Sequence, residues 1–76
     1  MRDELTNHQA DKIRNYCNQE RMTAHQADLI INAITAHRLG VQQAEVRMIR
    51  AFLLWSESEM ERARAIFQRF INDDRL

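Results

Sequence analysis

The side chains in this sequence that are best suited to hydrogen bonding with a ligand follow its single glycine, Gly40. Gln42, Gln43 and Arg47 carry amide and guanidinium groups, which hydrogen bond to the base edges of adenine and guanine. Ala44 lies between them and supplies a methyl group of the kind that contacts the methyl of thymine. These residue types at this spacing predict non-covalent recognition of DNA bases.

The spacing of small and apolar residues around Gly40 predicts the two helices that must position these side chains. Ala36 comes four residues before the glycine, where two helices approach closely. Gly40 suits the turn because it adopts a positive φ without a penalty from a Cβ atom. Leu39 and Val41 flank the turn, and Val46 and Ile49 follow at the helical spacing that is expected to pack the second helix onto the first.

Residues 35–49 resemble the helix-turn-helix of phage-type repressors and activators, in which an Ala-x-x-x-Gly-x-x-x-x-x-Val frame recurs. The resemblance covers about fifteen of the 76 residues. It implies that the second helix enters the DNA major groove and presents its first exposed side chains to the bases. The sequence departs from the motif in one respect, since Ala27 to Leu39 forms one unbroken helical pattern. A plain helix–glycine–helix hairpin is therefore the alternative interpretation.

The charge pattern places a small positive excess on this same segment. The 76 residues carry 11 basic and 11 acidic side chains, so the formal net charge is zero and strong non-specific binding to DNA or membranes is not expected. Residues 35–55 nevertheless hold three arginines against the single acid Glu45. The side chains predicted to contact the DNA backbone are His37, Arg38 and Arg50.

The whole chain is predicted to be helical, because it contains no proline and only one glycine. Three segments have the pattern of a capping box, in which a Ser or Thr is followed three residues later by Gln or Glu. These boxes start at Thr6, Thr23 and Ser56. The sequence predicts a single domain, residues 1–76, that is a small all-α four-helix bundle containing the hairpin about Gly40. The expected helices span about 7–20, 24–39, 42–55 and 57–72.

Apolar residues at helical spacing predict the core, and they exceed what one core needs. The expected core positions are Ala10, Ile13 and Cys17; Ala27, Ile30, Ile31 and Ile34; Val46, Ile49 and Leu53, with a second stripe of Met48, Phe52 and Trp55; and Met60, Ala63, Phe67, Phe70 and Ile71. We interpret the surplus as a homodimer or partner surface formed by Phe52, Trp55, Phe67 and Phe70. Alternatively, the third helix is the central, most buried helix.

Other kinds of chemistry are not expected. The three histidines and the single Cys17 do not form the convergent set of ligands that a zinc site needs, so no metal is predicted. No nucleophile–base arrangement or phosphate-binding loop is present, which predicts a non-enzyme without cofactors or a small-molecule substrate. One cysteine, no signal peptide and no apolar run long enough to span a membrane predict a cytoplasmic protein.

Two functions remain open on this evidence. The first is a small DNA-binding transcriptional regulator of phage or mobile-element type that acts as a dimer. The alternative is a helical protein-interaction module, such as an antirepressor, inhibitor or adaptor, that binds another protein through the apolar surface of helices 3 and 4.

Overall fold

The computed structural model describes residues 5–51 and 54–73, which form four α-helices and no strand. Helix α1 spans Asn7–Gln19, α2 spans Ala24–Arg38, α3 spans Ala44–Ala51 and α4 spans Glu57–Ile71. The predicted all-α fold of four helices is confirmed. Helix α3 is shorter than the expected 42–55, because Gln42 and Gln43 lie in the preceding turn and Leu54 and Trp55 lie outside the helix.

The three predicted capping boxes are present and explain where α1, α2 and α4 begin. In each box the cap hydroxyl accepts from the backbone N–H three residues later, and the side chain of that later residue accepts from the N–H of the cap. The six bonds measure between 2.8 and 3.2 Å. The pairs are Thr6 with Gln9, Thr23 with Gln26, and Ser56 with Glu59.

Helices α1 and α2 end in the same way, through a residue with positive φ. Gly40 has φ +83°, and its N–H donates to the carbonyl of His37 at 3.0 Å while the N–H of Val41 donates to Ala36 at 2.9 Å. Arg21 has φ +65°, and after α1 the equivalent bonds run from the N–H of Arg21 to the carbonyl of Asn18 and from the N–H of Met22 to that of Cys17. This pair of bonds defines the Schellman motif, which reverses the chain by satisfying the last helical carbonyls. The predicted positive φ of Gly40 is confirmed.

Helix α2 is the central helix of the bundle, since α1, α3 and α4 each pack against it. Its residues Ile30 and Ile34 are fully buried. The alternative interpretation that the third helix is the most central one is therefore wrong. The remaining core residues come from all four helices and the first turn: Ile13, Cys17, Met22, Ala27, Ile31, Ala33, Met48, Ala63, Ile66, Phe67 and Phe70.

Two residues expected on a partner surface belong to this core. Phe67 is only 1% exposed and Phe70 is 7% exposed, because α4 turns both rings towards α2 and α1. Their assignment to a dimer surface is wrong. Trp55 is half-buried and packs against the edge of the core. Phe52 and Leu53 lie outside the described residues, as does the side chain of Ile49.

Candidate nucleic-acid interface

Among the residues of α3 whose side chains the structure describes, two that lie one turn apart pack on the bundle. Ala44 and Met48 are buried, and they face the groove between α2 and α3 together with Ala33 and Ala36. Ala44 was expected to contact a base edge, and that expectation is wrong because its methyl group lies against the neighbouring helix. The small side chains at this contact allow the two helices to approach closely.

The opposite face of α3 is open to solvent and carries Val46 and Arg50. Val46 follows Ala44 by two residues, or roughly 200° around the helix axis, and Arg50 lies one turn further along the same face. Val46 is 43% exposed, and Arg50 is exposed as well. The expectation that Val46 packs the second helix onto the first is wrong, because Ala44 and Met48 make that contact.

The carboxylate of α3 is directed away from this face. Gln68 on α4 donates a hydrogen bond from Nε2 to Oε2 of Glu45, which is half-buried. Arg47 and Arg50 are both exposed and are the basic residues of α3. Among the described side chains, Arg50 therefore shares the outward face of α3 with Val46, and Arg47 is exposed between that face and α2, while Glu45 is held against α4.

Gln42 and Gln43 are exposed as predicted, but they precede α3 instead of forming its first turn. Gln43 has φ +64°, and its carbonyl accepts from the N–H of Arg47 at 2.9 Å. It thus occupies the start of the helix without the side-chain cap found at the other three helices. A positive φ is unusual for glutamine and marks local backbone strain.

The three predicted base-contacting residues are all exposed, yet they border different grooves. Gln42 and Gln43 line an open groove of about 470 Å³ between the α2–α3 turn and α4, where Phe67 and Ile71 form part of the lining. Arg47 lines the groove between α2 and α3. The side chains therefore lie on two sides of the N-terminal end of α3 and do not form a single helical ridge.

The predicted backbone-contacting residues lie on two helices. His37 and Arg38 occupy the last turn of α2, where basic groups complement the helix dipole. The exposed ring of His37 packs edge-on against Phe67, with the ring centroids 6.0 Å apart. Arg38 is half-buried, and Arg50 lies on the outward face of α3. Of these three residues, only Arg50 is on the same helix as Arg47.

Among the described residues, large apolar side chains are exposed at three positions, which the sequence patterns did not identify. Leu54 is 97% exposed, and Leu39 and Val46 are about half exposed. Helix 3 has apolar residues on more than one face, so its sequence alone does not show which stripe is buried. The alanine and methionine four residues apart, Ala44 and Met48, were the signal that could have located the buried side.

The described residues give little support to metal binding or to catalysis by a thiol. No three His, Cys, Asp or Glu side chains within them converge as a metal site would require. The thiol of Cys17 is fully enclosed, and burial, with a smaller effect from Glu20, raises its pKa to about 11. Such a thiol is a poor nucleophile at neutral pH. None of the helices in the described part is both long and apolar enough to cross a bilayer.

Comparisons of this chain with protein-family models, with curated proteins and with solved structures gave no significant match. Its function must therefore be argued from its own residues and their placement.

Proposed function

We propose that this chain is a small helix-turn-helix-like transcriptional regulator that binds DNA as a dimer in the cytoplasm. The observation that carries the proposal is the exposed part of α3, where Arg50 shares a face with Val46 and exposed Arg47 lies between that face and α2, while Glu45 is bonded to Gln68 on α4. An exposed helix with basic side chains and no outward acid matches what the major groove accepts. The phage or mobile-element type follows from the resemblance of residues 35–49 alone.

In this proposal α3 lies in the major groove and its side chains divide the contacts. The guanidinium of Arg47 donates to O6 and N7 of a guanine, the most common specific contact of this kind. Gln42 and Gln43 lie at the N-terminal end of α3 and supply amides to nearby base edges. Phosphates are contacted by His37, Arg38 and Arg50, and these contacts set the position of the helix on the duplex without specifying sequence.

The length of α3 explains why a dimer is part of the proposal. Eight helical residues extend roughly 12 Å, which spans about three to four base pairs. One copy therefore discriminates among few sequences, and two copies on adjacent half-sites double the length that is recognised. Leu54 is almost fully exposed beside half-buried Trp55, and it is accessible to a second copy, whereas Phe67 and Phe70 are buried.

Selection of bound fragments from random duplex DNA tests this function directly. We expect an enriched motif with two half-sites about 10 base pairs apart, as a two-fold dimer requires. Arg47→Ala should weaken binding to that motif by about 1–3 kcal/mol and relax base choice at one position of each half-site. Arg50→Ala is the matched control, since it should weaken all sequences alike and lower the salt dependence by about one unit of slope.

A second candidate function is favoured by the exposed apolar side chains. Leu39, Val46 and Leu54 would serve a helical module, such as an antirepressor, inhibitor or adaptor, that binds another protein. This alternative predicts that no DNA motif is enriched over the input pool. It also predicts that Leu54→Asp abolishes capture of the partner protein while the helical content measured by circular dichroism stays unchanged.

A further inference from the structure

Val46 is an exposed valine on the outward side of α3. Among the described side chains of this helix, Ala44 and Met48 are the buried ones, and 43% of the Val46 surface remains exposed to solvent. A β-branched residue is also a weaker helix former than alanine, lysine or glutamate. Stability alone would favour one of those residues on the outward side of an eight-residue helix.

The neighbours of Val46 narrow the kind of surface it could contact. Arg50 is exposed one turn after Val46 on the same face, Arg47 is exposed on the side of the helix nearer α2, and the nearest acid, Glu45, is bonded to Gln68 on α4. An apolar group with cations on one side of it complements a surface that is mainly anionic with isolated apolar points. The major groove of DNA is such a surface, because phosphates line it and the C5 methyl of thymine is its apolar group.

We propose that Val46 is a specificity-determining residue that contacts the C5 methyl group of a thymine in each half-site. This inference rests on the proposed DNA-binding function and refines it. The short, stiff side chain of valine has essentially one χ1 rotamer in a helix, so its methyl groups are held in place before binding. Ala44, the residue expected to make this contact, is buried and unable to do so.

The test uses the motif selected by the unmodified protein, with each thymine replaced in turn by deoxyuridine. This replacement removes only the C5 methyl group and keeps the hydrogen-bonding edges of the base. Loss of one buried methyl contact corresponds to roughly a fourfold weaker affinity. We expect that loss at one thymine of each half-site and almost none at the others, measured by fluorescence anisotropy at fixed salt.

The variant Val46→Ala shows whether the valine is responsible. It should bind the thymine motif more weakly than the unmodified protein and lose its sensitivity to deoxyuridine at that same position. Gln19→Ala, which alters an exposed residue of α1, is the control and should retain the full sensitivity. Circular dichroism checks that both variants stay folded, as expected for exposed positions.

The possible failures are distinguishable. If the unmodified protein selects a motif but no thymine-to-deoxyuridine change weakens binding, Val46 does not contact a thymine methyl and the DNA-binding function still stands. Equal sensitivity of Val46→Ala and the unmodified protein would also overturn the inference. If no motif is selected at all, both the inference and the proposed function are overturned.

Discussion

The two ends of α2 differ in how strongly the local sequence determines them. At the N-terminal end, the α1–α2 turn closes with a Schellman motif at Arg21 and continues directly into the capping box of Thr23 and Gln26. At the C-terminal end, a Schellman motif at Gly40 is followed by Gln43 with φ +64° and by α3 without a capping box. Local sequence signals therefore fix both the helix end and the helix start at the α1–α2 turn. At the α2–α3 turn they fix only the end of α2.

The better-specified turn is also tied to a third helix. Gln26 is buried, and its Nε2 donates to Oε2 of Glu59 at 2.9 Å, so the capping boxes of α2 and α4 form one hydrogen-bonded chain. The turn before α3 has no such link in the described bonds, and it carries Gln42 and Gln43, two of the residues proposed to contact DNA. This contrast agrees with the general rule that binding residues lie on less constrained connections placed by a rigid scaffold.

The largest effect that separates the two turns should come from Gly40→Val. A Cβ atom at Gly40 would meet no atom within 4 Å, so the penalty arises from the backbone at φ +83° and not from a clash. We expect a loss of about 2 kcal/mol in the free energy of unfolding, because a β-branched residue strongly disfavours this conformation. Urea denaturation measures it.

The matched change at the other turn is Arg21→Gly, which relieves the same kind of backbone strain. It should raise the free energy of unfolding by about 1 kcal/mol. A Gly40→Val protein as stable as the original would show that the α2–α3 turn has another conformation available.

The second effect compares two capping boxes of the same composition. Gln26→Ala should lower the free energy of unfolding by about 1.5 kcal/mol, since it removes the side-chain oxygen that accepts from the N–H of Thr23 and leaves Glu59 without its buried partner. Gln9→Ala, at the exposed box of α1, should lower it by only about 0.5 kcal/mol. Equal losses in thermal or urea denaturation would mean that the bond to Glu59 contributes nothing to stability.

The smallest effect concerns pH and the carboxylate of Glu59. Hydrogen bonds from the backbone N–H of Ser56, the side chain of Gln26 and the hydroxyl of Ser56 lower the pKa of Glu59 below its usual value. Because the folded protein favours the ionised form, the stabilisation is present above about pH 4.3 and is lost as the pH falls through the lower folded value. Acidification should therefore weaken the link between α2 and α4.

Glu59→Gln isolates this contribution from that of the other carboxylates. The variant should be less stable than the unmodified protein at pH 7, and the difference should shrink as the pH falls below 4. Urea denaturation at both pH values measures the two differences. A difference that stays constant with pH would show that ionised Glu59 stabilises the fold no more than protonated Glu59 does.

The helix starts and chain reversals could be predicted because their signals are short-range. A hydroxyl and an amide three residues apart specify a helix start whatever surrounds it, and Thr6, Thr23 and Ser56 each begin a helix as expected. Gly40 specified the second reversal by the same logic. The start of α3 was misplaced by two residues because no capping residue marks it.

The candidate site was predicted less well than the helices, for a reason visible in α3. Its apolar residues cover more than one face, so both the stripe of Val46 and the stripe of Met48 were compatible with burial. Gln42, Gln43, Arg47 and Arg50 were correctly expected to be exposed, but their arrangement around the N-terminal end of α3 depends on the positive φ of Gln43. Glutamine is not a residue type that predicts a positive φ, so the conformation of Gln43 could not be read from the sequence.

The sequence by itself determined that there are four helices, the three capping boxes and the reversal at Gly40, since each depends on residues within a few positions of one another. Only the tertiary structure decided that α2 is central, that Phe67 and Phe70 are buried, and that Val46 points outwards. These outcomes depend on which faces of separate helices meet. Which faces meet depends on how the side chains of all the helices pack around α2. It also depends on hydrogen bonds between residues far apart in the chain, such as those from Gln26 to Glu59 and from Gln68 to Glu45.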